Sequence, residues 1–216
     1  MSDFPSEAYT EAQQKWLGRD HLITPTIKKA FGNLLEGKAV LDVGCGNGHY
    51  SFDFIRWGAH QVVGIDNSNE MVQICQDTLK KTSDLRKTSE IEFHKSDITD
   101  FSLPQKFDVA TAFFVLQFLH DKDDLRKAIE NVSRHLKSGG VLFGLIPNGV
   151  EEVCGSSKIA LHSRQLYEKC FQDSGFSTIE WITPHFTEHA EQVLGQDFCD
   201  QFLNPPCDIM FKCVKQ

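Results

Sequence analysis

The residues best placed to do chemistry lie between positions 40 and 48, VLDVGCGNG, where an apolar run leads into glycines at 44, 46 and 48 and Asp42 stands two positions before the first of them. Glycine there lets the backbone take positive φ and approach a ligand more closely than any Cβ allows. A helix starting just beyond the turn presents free N–H groups. The arrangement is that of a nucleoside-binding turn. A dinucleotide fingerprint needs glycine at the first, third and sixth positions, and the sixth here is His49. Asp42 would also repel a pyrophosphate, so a cationic ligand bearing an amino acid suits the site better.

Such a turn needs a parallel sheet to hold it, and strand-like and helix-like segments alternate along the chain as that requires. Residues 38–43, 61–66, 91–95, 107–113 and 141–146 read as strands one to five. Thr24-Pro25 reads as a cap and first helical residue, opening an amphipathic helix through Ile27, Ala30, Phe31, Leu34 and Leu35. Ser68 opens a helix through Met71, Val72, Cys75 and Leu79. Asp121 caps one through Leu125, Ala128, Ile129, Val132 and Leu136 that Gly139-Gly140 stops, and Ser163 opens one through Leu166, Tyr167, Cys170 and Phe171 that ends at Gly175. Residues 176–183 and 208–214 read as two further strands. The stretch 184–207 between them is long for a hairpin loop, and long loops in compact domains are often functional.

Composition narrows the class. The chain of 216 residues suits one domain with a full core. No apolar run approaches the ~20 residues of a membrane helix. The acidic, polar start MSDFPSEAYTEAQQKW resembles neither a signal nor a transit peptide, so a cytoplasmic protein is expected. Seven scattered cysteines without a Cys-x-x-Cys pair argue against a zinc site or a disulfide framework, and no metal is expected. With 22 basic and 30 acidic residues, a net charge of −8 and no basic stripe, nucleic acid is an unsuitable partner.

VLDVGCGNG resembles the first motif of the class I S-adenosylmethionine-dependent methyltransferases. Four further segments follow in the family's order: VVGIDNS (62–68), SDITDF (96–101), FDVATAFFVLQFL (107–119) and LKSGGVLFGLIPN (136–148). The resemblance covers roughly residues 38–148. It implies an α/β, Rossmann-like seven-stranded sheet, mostly parallel with an antiparallel C-terminal hairpin and helices on both faces. It also implies S-adenosyl-L-methionine as cofactor: Gly44 and Gly46 at the turn, Asp42 toward the ligand's ammonium, Asp66 with Asn67 at the ribose, Asp97 and Ile98 at the adenine, and Phe113 near the methionine moiety. Asp97 has a second reading, as part of a surface turn with Asp100. Trp16 and Tyr9 either touch the ligand or anchor an N-terminal helix, and Arg19 either pairs with the methionine carboxylate or is solvated. One domain, 1–216, is expected: N-terminal cap helices over 1–37, the cofactor core over 38–148, and a C-terminal hairpin over 149–216 whose 184–207 insert caps the active site together with 9–22.

Catalysis by such a protein is chiefly alignment of a nucleophile and exclusion of water, because the cofactor carries the difficult chemistry. A general base is optional, and the candidates are His120, His185 and His189. His185 and His189 would share one face of a helix. A small, aromatic or heteroaromatic acceptor methylated at nitrogen or oxygen is expected, since the chain is short, acidic and holds 17 phenylalanines. The alternatives are a nicotinamide-dependent oxidoreductase, which His49 and Asp42 disfavour, and a non-catalytic S-adenosylmethionine-binding subunit serving a partner.

Overall fold

Apolar β-branched runs between amphipathic helices generate one sheet of seven strands in the order β3-β2-β1-β4-β5-β7-β6. In the computed structural model, which describes residues 18–82, 90–148 and 159–216, the strands are β1 (Ala39–Val43), β2 (Gln61–Asp66), β3 (Glu90–Lys95), β4 (Phe107–Phe113), β5 (Leu136–Pro147), β6 (Phe176–Ile182) and β7 (Asp208–Lys215). The first five are parallel, and β7 runs antiparallel to both β5 and β6. The order reverses between β1 and β4, and the crevice outside the carboxyl ends of strands at such a switch point is where open α/β sheets bind ligands.

The helices are α1 (Thr24–Phe31), α2 (His49–Arg56), α3 (Asn69–Lys81), α4 (Lys122–His135), α5 (Arg164–Asp173) and two short helices in the insert, α6 (Ala190–Leu194) and α7 (Gln196–Leu203). Ser68, Asp121 and Ser163 cap α3, α4 and α5 as expected, each side chain accepting a backbone N–H of the first turn. One face of the sheet packs Leu41, Ile65, Phe107 and Phe211 against Leu125, Ile129, Tyr167 and Phe171 of α4 and α5. The other packs Val40, Phe113, Phe143 and Met210 against Ile27 and Phe31 of α1, Phe54 of α2 and Cys75 of α3. Burying one such side chain contributes about 1.5–3 kcal/mol, so both layers hold the strand ends in register.

Three local expectations are corrected. Thr24 is not a cap: its backbone is helical, and α1 continues a π-helical turn over Arg19–Ile23 whose last bond runs from the Thr24 N–H to the Arg19 carbonyl. The same helix ends at Phe31, short of Leu34 and Leu35, because Gly32 turns the chain at φ +52°. Gly139-Gly140 do not stop α4. The helix ends at His135, where the Lys215 ammonium takes the Ser133 and Leu136 carbonyls, and the glycines fall inside β5 at a bulge opposite Phe107 and Val109.

Candidate functional site

β1 feeds directly into the glycine turn, which is pinned from beside by β2: the Gly44 and Cys45 N–H groups donate to the Ile65 carbonyl at 2.8 and 3.0 Å. Gly44, Gly46 and Gly48 all have positive φ, yet they have different tasks. A Cβ on Gly44 would lie 2.3 Å from Val115 Cγ2 and one on Gly48 2.9 Å from Cys75 Sγ, so both are demanded by packing beneath the turn. A Cβ on Gly46, at φ +53°, would meet nothing within 4 Å. Gly46 is thus the glycine that faces open space, a cradle that a side chain would fill.

Asp66, at the end of β2, accepts the Gly46 N–H at 2.9 Å through Oδ2 and the Ser68 N–H at 2.9 Å through Oδ1. Burial raises its pKa, and the two N–H donors only partly oppose that. It does not compete with Ser68 for the cap of α3. It ties β2 to the glycine turn and keeps acceptor lone pairs for a ligand's hydroxyls. Asn67 is exposed in the bend beside it.

Asp42 is 3% exposed and faces α2 rather than open water. Ser51 Oγ of α2 donates to Oδ2 and Thr111 Oγ1 of β4 donates to Oδ1 at 2.7 Å. Asp42 and Thr111 are register partners across β1 and β4, so the acid sits in the seam at the switch point. Burial pushes its carboxyl up to about 6, against the lowering effect of both hydroxyls.

Asp97 is exposed, and its Oδ1 closes its own turn by accepting the Thr99 N–H and hydroxyl at 2.9 and 2.7 Å, with the Asp100 N–H on its carbonyl at 3.3 Å. The surface-turn reading therefore describes its side chain. Ile98 is buried at 8% exposure and packs in the α4–α5 layer. Phe113 ends β4 in an aromatic cluster, its ring centroid 5.4 Å from Tyr50, 6.2 Å from Phe54 and 6.4 Å from Phe31. Phe114 follows at φ +55°, outside the usual range for a bulky residue, and its N–H donates to the Leu145 carbonyl at 2.8 Å. Trp16 and Tyr9 lie outside the described residues.

Tyr50, on the first turn of α2, was not singled out by sequence, although it stands just past the glycine run. Its phenol and the Thr24 hydroxyl lie beside each other at the switch-point end of the sheet, and neither makes a hydrogen bond of good geometry among the described residues. Burial holds the phenol far above its ordinary pKa, so it is a donor and not a base. The Arg19 side chain, 12% exposed, is close enough to act electrostatically on both Tyr50 and His49. Burial and then the Arg19 charge lower the His49 pKa. The two neighbouring hydroxyls, near the Arg19 charge, make a polar patch against the Phe54 and Phe113 rings.

The histidine expectations are corrected in part. His185 and His189 share no helix face: His185 lies in an irregular stretch and His189 in the turn before α6. His185 is instead a structural link, its N–H donating to Thr26 Oγ1 of α1 at 3.0 Å, while burial lowers its pKa. The Thr187 N–H donates to the His21 carbonyl at 2.8 Å and the two side chains meet at 3.1 Å. The insert is thereby fastened to the π-helical turn and α1. His120 is exposed beyond the exit of β4. Among the described residues no group of three or more His, Cys, Asp or Glu side chains could hold a metal ion. No helix among them is long and apolar enough to cross a membrane. A groove of about 340 Å³ lies within the insert, lined by Phe186, Leu203, Cys199 and the acids Glu188, Glu191 and Asp200, and no residue of the glycine turn borders it.

Comparison with known proteins agrees with this geometry. Residues 40–140 match the family described as a methyltransferase domain. The dTDP-4-amino-2,3,4,6-tetradeoxy-D-glucose N,N-dimethyltransferase of Saccharopolyspora spinosa is 36% identical over 109 residues, covering 50% of this chain and 40% of that protein. This chain thus spans less than half the length of that relative. Among solved structures, an S-adenosylmethionine-dependent methyltransferase from Mesorhizobium loti superposes with a TM-score of 0.71 at 17% identity over 88% of this chain and 96% of that one. The methyltransferase in a complex with the Haloferax volcanii Trm112 methyltransferase activator superposes with a TM-score of 0.73 at 20% identity over 100% of this chain and 99% of its own. With the glycine turn, the acid ending β2 and the 3-2-1-4-5-7-6 sheet in place, the chain carries a methyltransferase domain over residues 40–140 on the fold of the class I S-adenosylmethionine-dependent methyltransferases.

Proposed function

We propose that this protein transfers a methyl group from S-adenosyl-L-methionine to a small acceptor, aromatic or heteroaromatic in character, at nitrogen or oxygen. The single observation that carries this reading is Gly46, open to space that a Cβ would fill and clamped by Asp66 at 2.9 Å. The residues suit the cofactor: Gly46 leaves room for it, Asp66 offers lone pairs to ribose hydroxyls, and Asp42 supplies negative potential from the β1–β4 seam toward an ammonium. When bound, the cofactor supplies a methyl group already activated on a sulfonium. The protein's own part is then to align and to exclude water. The Phe113 and Phe31 rings form an apolar wall, Tyr50 and Thr24 offer hydroxyls to a polar group, and Arg19 balances an anionic one. The insert and the N-terminal turn, joined through His21 and Thr187, close the cleft. Asp97, with Ile98 beneath it, would border the adenine, its exposed Oδ2 being the oxygen left free by its own turn.

The relative that methylates an amino sugar twice at nitrogen supports a nitrogen acceptor without fixing it. The nicotinamide reading is disfavoured by the same Asp42 that favours a cation. Thermal melting tests the ranking. S-adenosylmethionine or S-adenosylhomocysteine at 100 times its Kd adds about 2.7 kcal/mol by mass action, whereas NAD and NADP should leave the melting temperature unmoved. A larger shift with NAD would reverse the assignment.

A further inference from the structure

β7 returns along β5 so that Asp208 is paired with Pro147, at the carboxyl end of β5, on the ligand side of the sheet. Side chains alternate along β7. Ile209, Phe211 and Cys213 enter the α4–α5 layer, while Met210 and Val214 pack in the layer that holds Phe113, Phe31 and Leu145. By this alternation Asp208 shares the face of Phe113 and Met210. Phe113 is register partner of Leu145 and Leu145 of Met210. At ~4.8 Å between strands and ~3.3 Å per residue, the Asp208 and Phe113 Cα atoms stand about 12 Å apart. Between them on that face lie the fully buried Leu145 and Met210, so Asp208 stands at the rim of this layer, where the strands end.

The Asp208 side chain has no hydrogen bond or ion pair among the described residues, and its carboxyl, pushed up to about 7, is raised by burial alone. Nearby polar groups are committed elsewhere. Asn148 gives its N–H to the Cys207 carbonyl and its side-chain amide to the Pro206 carbonyl, each at 2.8 Å. Arg164 donates to Asn148 Oδ1 at 2.7 Å and stacks on the Trp181 ring at 5.2 Å. A partly buried carboxylate without a counter-charge is costly to maintain, and such groups cluster at functional sites. The acidic groove of the insert adjoins it in the chain, through a turn closed by the Cys207 N–H on the Phe202 carbonyl at 2.9 Å. Glu188, Glu191 and Asp200 would draw cations toward this end of the molecule.

We infer that Asp208 receives the ammonium group of the acceptor and takes its proton, which frees the nitrogen lone pair to accept the methyl group, so that the substrate is a small aromatic amine bound at the rim of the layer that holds Phe113. The inference rests on the methyl-transfer reading and narrows it to nitrogen. An alcohol of the same shape would leave the carboxylate unpaired and would be rejected.

The test uses the full chain with S-adenosylhomocysteine, and two probes of equal shape, phenethylamine and 2-phenylethanol, titrated calorimetrically at about pH 8, where a carboxyl raised to about 7 is ionised. S-adenosylhomocysteine should bind wild type and Asp208→Asn alike. In that complex phenethylamine should bind wild type at least tenfold more tightly than Asp208→Asn, Asp208→Glu should restore part of the difference, and 2-phenylethanol should not distinguish the three. Equal binding of the amine to wild type and Asp208→Asn, or no binding of the amine to wild type, overturns the inference while leaving the cofactor assignment intact. Failure of S-adenosylhomocysteine itself to bind wild type would bring down the methyl-transfer reading instead. Circular dichroism confirms that Asp208→Asn is folded, and Asp208→Ser provides a second neutral variant if it is not.

Discussion

Gly44 and Gly46 stand two residues apart in one motif, and the structure assigns them opposite kinds of necessity. Alanine at either must adopt positive φ, a strain of roughly 1–2 kcal/mol for a residue with a Cβ. At Gly44 the new methyl would also lie 2.3 Å from Val115 Cγ2 and 2.5 Å from Val115 Cβ, and overpacking of this kind adds about 1–3 kcal/mol. The expected totals are ~2–5 kcal/mol for Gly44→Ala and ~1–2 kcal/mol for Gly46→Ala. In a domain of this size each kcal/mol moves the melting temperature by roughly 2–4 °C. Differential scanning calorimetry should therefore separate the two variants clearly. Cofactor affinity should order them the other way: Gly46→Ala, folded and only modestly destabilised, is expected to bind S-adenosylhomocysteine at least tenfold more weakly. Val115→Ala in the Gly44→Ala background should return part of the lost stability, a coupling that distant sites do not show. The reasoning fails if Gly46→Ala binds like wild type, or if Gly44→Ala melts no lower than Gly46→Ala.

Asp208 and Asp42 carry folded-state pKa values of about 7 and about 6, above the ordinary carboxylate value of 3.8. The folded state thus binds more protons than the unfolded one between about pH 4 and 7, and stability must fall as pH rises through that window. Each unit is worth ~1.36 kcal/mol, so after discounting for partial exposure Asp208→Asn should gain ~1–3 kcal/mol over wild type at pH 7.5 and little at pH 4, in urea melts at both pH values. Tyr50→Phe removes a buried hydroxyl without a partner, so it should match or exceed wild type in stability while lowering ligand affinity by about tenfold; a fall in stability beyond ~1 kcal/mol would show that the hydroxyl is satisfied in the free protein. Substituting His120, His185 or His189 singly should lower kcat by no more than ~10²-fold, and a drop beyond ~10³-fold in one variant would make that histidine a general base.

What could be read from sequence is what local chemistry dictates. The strands came through because parallel strands are continuous apolar runs, and the caps Ser68, Asp121 and Ser163 because each side chain bonds an amide two or three residues ahead. Thr24 misled for the same reason: threonine before proline is a cap by local rules, yet Leu22 and Ile23, both fully buried, continue the helix upstream and place Thr24 inside it. Gly139-Gly140 resembled a helix stop, but Lys215, from the far end of the chain, satisfies the terminal carbonyls first. Asp208 carried no signal, since its meaning depends on being paired with Pro147 and on which face of β7 it occupies. Tyr50 carried a faint one, its place two residues after the last glycine of the turn.

The insert resisted reading because it meets the N-terminal helix only through long-range contacts. Thr26 of α1 accepts the His185 N–H at 3.0 Å while giving its own proton to the Leu22 carbonyl at 2.7 Å, so one buried hydroxyl joins the N-terminal helix to the insert. The link from Thr187 to His21 lies two residues farther along the insert, beside the π-helical turn that carries Arg19. This turn has one residue more per hydrogen-bonded ring than the α-helix it continues into, and such turns are rare and frequent at functional sites. Arg19, Thr24 and the insert are therefore carried by the same short segment, which relaxation to regular α-helix would rotate relative to Tyr50. Thr26→Val, which keeps shape but removes the hydroxyl that α1 and the insert share, should loosen the insert while sparing the glycine turn. Acceptor KM would rise, S-adenosylhomocysteine affinity would change by less than about threefold, or ~0.7 kcal/mol, and amide exchange would quicken at positions 185–190 but not at 44–48. Equal acceleration at both places would mean that the cap and the cofactor turn open as one unit.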